Sequence, residues 1–221
     1  MFAWLRRKPA PPSEEKLRVL DALADYPVYT PPIWSSEAQS FKEAGDAYAS
    51  FFFENRSGRV EALRSLLEKF DLALNLEEDG VKAVSAWLPV YADLLVDGLQ
   101  HQESDDLYCA YHWFEVPWTG PLIGFNPIFD LGVFIGECVL HRNPRLKWRA
   151  FVKPELNKGA SHIIFGNRGQ AFDPINWIYT ECQNVHSSRI SKKKWSETRL
   201  HGYMKAQLTP LRMKADLFDR P

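Results

Sequence analysis

The stretch Asn126-Pro-Ile-Phe-Asp-Leu-Gly-Val-Phe-Ile-Gly-Glu-Cys-Val-Leu-His-Arg-Asn-Pro-Arg-Leu-Lys-Trp148 decides the fold. Asn126 as N-cap and Pro127 at the first helical position predict a helix start. The residues that follow are almost all apolar as far as Leu140, and Asn143-Pro144 then releases the chain into a tryptophan-bearing strand. Glu137 lies near the centre of this helix. A carboxylate in such surroundings must find partners or stay solvated. It is therefore either a structural anchor or a working group, and the residues leave both open.

Working outward, Leu146 to Val152 alternates as a strand does, and so does Ser161 to Phe165. With 153–160 as the connection, the two are expected to form an antiparallel pair. Asp173-Pro174 repeats the cap-plus-proline start and predicts a helix through about Val185. Upstream the pattern is helical. Ser13 caps a short first helix to about Asp25, with Leu17, Leu20, Leu23 and Ala24 as its apolar face. Ser36 is expected to cap a second helix carrying Phe41, Ala44, Tyr48 and Phe51 or Phe52, and Gly58 to separate it from a third containing Val60, Leu63, Leu66, Leu67 and Phe70. A fourth spans Glu78 to about Val96, with a kink or break at Pro89. Leu72 to Leu76 reads as a strand or a linker. The expected class is α+β, a mainly helical first half with a small antiparallel β element packed on the helix starting near Asn126.

The 221 residues, 45% of them hydrophobic, suffice for one substantial core. Residues 1–12 read as a mobile leader, 13–190 as one compact domain with a candidate subdomain boundary near 98–106, and 191–221 as a basic C-terminal helical extension. A formal net charge of −1 argues against a general polyanion binder. Three cysteines without CxxC spacing fit reduced thiols in a cytoplasmic protein. The apolar run Leu131 to Leu140 is too short to span a bilayer, so no membrane association is expected.

Asp130, Phe134, Glu137 and His141 share one stripe of the Asn126 helix, and Glu137 with His141 could share a metal or a proton. Zinc sites want three or four ligands, so neither a metal nor a cofactor is expected. Gly132 and Gly136 cost helix propensity, and close approach of another backbone is the expected compensation. The aromatic run containing Tyr108, Tyr111, Trp113, Phe114 and Trp118 reads as core, or as a binding patch where it is exposed. The segment 186–214 has eight Lys or Arg against one acid, including Lys192, Lys193, Lys194 and the neighbouring Trp195. Such interleaving suits an acidic protein partner or, more weakly, single-stranded nucleic acid.

The segment Asp130-Leu-Gly-Val-Phe-Ile-Gly-Glu137 ahead of a Trp148 strand resembles a module of uncharacterised bacterial proteins. In that group a Leu-Gly-x-Phe/Tyr-Leu/Ile-Gly-Glu helix precedes a tryptophan strand. Arg59-Val-Glu-Ala-Leu63, with Leu76, Val84 and Trp87 downstream, is similar to its helical portion, and the match covers roughly 59–185. The resemblance implies immunity-like or accessory factors, with structural roles for Leu131, Gly132, Gly136, Glu137 and Trp148 and no activity. The expected function is that of a bacterial cytoplasmic protein-interaction factor, in its specific form a toxin-neutralising immunity protein. The alternatives are a hydrolase or metal-dependent enzyme centred on Glu137 with Asp130 or His141, and nucleic-acid binding through the basic C-terminal segment.

Overall fold

A computed structural model of the chain describes residues 13–34, 38, 42–95, 118–152, 160–165, 171–190 and 202. Its helices are α1 (Glu14–Leu23), α2 (Lys42–Glu68), α3 (Glu78–Leu95), α4 (Phe125–Arg142) and α5 (Pro174–Ile190), with a 3-10 turn at Gly120–Leu122. Strands β1 (Lys147–Val152), β2 (Ala160–Phe165) and β3 (Ala171–Phe172) form one antiparallel sheet in the order β1-β2-β3. The class is α+β and mainly helical. The predicted strand pair is present, with Trp148 opposite Ile164 and Ala150 opposite His162. Two-residue β3 extends it, too short to show alternation.

α4 is the centre of the molecule: every residue from Phe125 to Gly136 is buried. It packs along α5 and α2, while α3 lies on α5 and α1 on α3. The sheet backbone lies against α2 and α5, and β1 reaches α4 through Trp148. Exposed Lys147 and Arg149 stand on either side of buried Trp148 along β1, as one solvated sheet face requires.

Several expectations change. Ser13 does cap α1, accepting from Lys16 N at 3.2 Å. The face turned to the core, however, is Val19, Ala22 and Leu23; Leu17, Leu20 and Ala24 are exposed. The second and third helices are one. α2 runs without interruption through Gly58, because a glycine lowers helix propensity without forbidding the helix. α3 likewise continues through Pro89, which removes one backbone donor but leaves the turns on either side intact. Leu72 to Leu76 contains no strand. α4 starts two residues early, with Gly124 rather than Asn126 at the N-cap position. Asp173 caps α5 as expected, accepting from Asn176 N at 2.9 Å, and the helix runs on to Ile190. The Ser36 cap, Phe41, the leader, the boundary near 98–106 and the C-terminal extension lie outside the described residues, apart from residue 202.

Candidate functional site

The stripe on α4 runs from the core to the surface, and each of its polar groups meets a different partner. Asp130 is fully buried. Arg59 of α2 grips it side-on, Nε to Oδ1 and Nη2 to Oδ2, both at 2.7 Å. The Tyr26 hydroxyl donates to Oδ2 at 2.5 Å. The third Arg59 nitrogen, Nη1, donates to the Pro27 carbonyl at 2.8 Å. A planar guanidinium is suited to this work because it presents parallel donors to one carboxylate and a further donor elsewhere.

Burial pushes the Asp130 carboxyl up to about 6, against the opposing pull of Arg59 and Tyr26. Burial alone would lower Arg59, but Asp130 more than offsets it and the guanidinium stays raised. Burial, reinforced by the Asp130 charge, raises Tyr26 well above its ordinary range, so its proton stays on the hydroxyl.

Two turns further along α4, Glu137 Oε1 accepts from Arg56 Nη1 and from the Trp148 indole Nε1, each at 2.8 Å. Its side chain keeps 23% of its exposure. Arg56 and Arg59 lie one turn apart on α2 and meet Glu137 and Asp130 in reversed order, so the two helices run antiparallel. His141 does not join Glu137. It bonds through Nε2 to Glu77 Oε1 at 2.9 Å on the exposed rim. Glu137 and His141, which could have shared a proton or a metal, are not paired with each other here, because Glu77 arrives from the chain ahead of α3 and takes the imidazole. Among the described residues no three His, Cys, Asp or Glu side chains gather into a group that could hold a metal ion.

The glycines of the motif divide in the same way. A methyl group on Gly132 would strike the backbone of Ile175 at the start of α5, the close backbone approach that was expected. At Gly136 the approach comes instead from the Trp148 ring, which a Cβ would displace. The missing side chain opens the slot through which the indole reaches Glu137. Leu131 is fully buried.

Asn126 turns out to be a tie rather than a cap. Its Oδ1 accepts from Tyr29 N at 2.7 Å, and its Nδ2 donates to the carbonyls of Trp118 and Ile123 at 2.8 and 2.9 Å. Tyr29 stacks on Phe129 at 4.3 Å. The segment Tyr26–Tyr29 is therefore fastened to α4 at both ends, with Arg59 lying 5.7 Å from the Tyr26 ring and 5.8 Å from the Tyr29 ring. Behind it, His162 of β2 is stacked between Phe52 at 3.8 Å and Tyr48 at 4.5 Å. Of the predicted aromatic run, Trp118 is buried; Tyr108, Tyr111, Trp113 and Phe114 lie outside the described residues, as do Lys192, Lys193, Lys194 and Trp195.

No protein-family model, curated protein or solved structure matches this chain.

Sequence reasoning found Asp130, Glu137 and Trp148 but missed Arg56, Arg59, Tyr26, Tyr29 and Glu77. One signal was available: Arg59 stands on the helical face continued by the apolar Val60, Leu63 and Leu67, where an arginine needs an acidic partner on burial.

An outward apolar surface belongs to α1. Leu17 and Leu20 are 54% and 46% exposed, and Ala24 follows on the same face. They stand at i, i+3 and i+7, which places them in a single seam. Arg18 bends away from it, donating to the Lys69 carbonyl at 2.9 Å and lying 4.8 Å from the Phe70 ring. Lys69 in turn holds Asp25 at 2.7 Å. Among the described residues no helix is long and apolar enough to cross a membrane.

Proposed function

We propose that the protein is a bacterial cytoplasmic interaction factor, of the kind to which immunity proteins belong, and that it docks a protein partner on the outward face of α1. The observation that carries this reading is the Leu17–Leu20–Ala24 seam. It is a second apolar face on that helix, left outward while the core uses Val19, Ala22 and Leu23. A second observation supports it: the conspicuous acids of α4 are engaged by Arg56, Arg59, Tyr26 and Trp148, which suits a rigid scaffold. Cys138 and Cys182 are buried and neither is part of a disulfide, in keeping with a reducing compartment.

The test is affinity purification of the tagged full-length chain from its own cells, beside a Leu17→Ser/Leu20→Ser variant. Both substitutions fall on exposed positions, so stability is expected to stay within about 0.5 kcal/mol of the parent. The parent is expected to retain one stoichiometric protein partner and the folded variant to lose it. Equal recovery by both would remove α1 as the docking face.

A further inference from the structure

We infer that the partner presented to α1 is a basic amphipathic helix, with lysine or arginine flanking its apolar seam. The inference rests on the interaction reading above and adds the chemistry of what is bound.

Leu17, Leu20 and Ala24 occupy the a, d and a positions of a heptad. The adjoining e positions are then Glu14 and Asp21. Both are exposed, and among the described residues neither forms an ion pair. The cations nearby are already committed. Arg18 reaches back towards Asp71 at 3.7 Å, and Lys69 is held by Asp25. The half-buried Lys16 lies on the other flank. What α1 offers is thus an apolar seam with two unpaired carboxylates, seven residues apart, along one edge. A helix laid on that seam places its own seam-flanking side chains against Glu14 and Asp21. Acidic side chains there would stand like charge against like, which is costly at an interface, whereas cations would steer and orient the encounter. The seam is short, so the charges bear on register and partner choice as well as on affinity.

The probe is a synthetic helical peptide of about three heptads, with Leu at a and d and Lys at e and g, beside a twin carrying Glu for Lys. Binding of each to the full-length chain is followed by fluorescence anisotropy at low and moderate salt. The Lys peptide is expected to bind at least about tenfold more tightly than the Glu peptide, with the difference shrinking as salt rises. Glu14→Lys/Asp21→Lys is expected to reverse the preference. An absence of preference, or a preference that the charge-reversed variant keeps, overturns the inference.

The two readings fail separately. A native partner lost by Leu17→Ser/Leu20→Ser but retained by Glu14→Lys/Asp21→Lys leaves α1 as the docking face and refutes a cationic occupant. A dimer seen by light scattering and abolished by the serine variant makes a second copy of this chain the occupant, and likewise refutes it.

Discussion

Three donors converge on Asp130, and their arrangement explains how a carboxylate survives with no exposure at all. Arg59 supplies two bonds and the opposite charge, Tyr26 a third bond. Removing one partner leaves the other charged and buried, so Asp130→Ala and Arg59→Ala are each expected to cost about 3–5 kcal/mol in denaturant unfolding. The double variant Arg59→Met/Asp130→Leu is expected to cost far less than the two single losses together, because no stranded charge remains. Simple additivity would contradict the account. The pH response has a definite sign. With a folded value of about 6 against an ordinary carboxylate in the unfolded chain, the folded state holds the extra proton between roughly pH 4 and 6. The stability this group contributes is full below the unfolded value and is lost as pH rises through about 6. Unfolding midpoints at pH 7 and pH 5 should therefore shift in favour of the parent, relative to Asp130→Asn, at the lower pH; the absence of a shift would show that Asp130 is ionised throughout.

Helices test the reading of periodicity. The burial of α2 was legible because it offers an apolar face, and that of α4 because it is apolar almost all round. α1 offers two, Leu17–Leu20–Ala24 and Val19–Ala22–Leu23, and counting apolar residues cannot choose between them; the packing of α1 on α3 does. Gly58 was misread for a related reason, since a glycine weakens a helix by an amount that the packing of Val60, Leu63 and Leu67 readily exceeds. The two kinds of helical glycine make a paired prediction. At Gly58 a methyl group meets nothing within 4 Å, so Gly58→Ala is expected to stabilise by about 0.5–1 kcal/mol. At Gly132 it meets the backbone of Ile175, and Gly132→Ala is expected to destabilise by about 1–3 kcal/mol. Thermal unfolding of both variants checks this, and equal signs would contradict the packing of α4 on α5.

Across the whole molecule, what escaped the sequence is what joins distant segments. Arg59 and Asp130 are 71 residues apart, Arg56 and Glu137 81, Tyr26 and Asp130 104. Each acid could be marked as needing a partner, but nothing local says which cation it finds. The strands and the Asp173 cap were legible because their signals lie within a few neighbouring residues. The central claim joins these scales: the acids of α4 hold the fold together, and the partner is met on α1. The most direct test compares Glu137→Gln with Leu17→Ser/Leu20→Ser, measuring melting temperature and retention of the native partner for both. Glu137→Gln removes the charge that Arg56 pairs with, and is expected to lower the melting temperature by about 2–4 °C while keeping the partner. The serine pair is expected to melt with the parent and lose the partner. A Glu137→Gln protein that melts like the parent but no longer holds the partner, beside a serine variant that still does, would contradict the account.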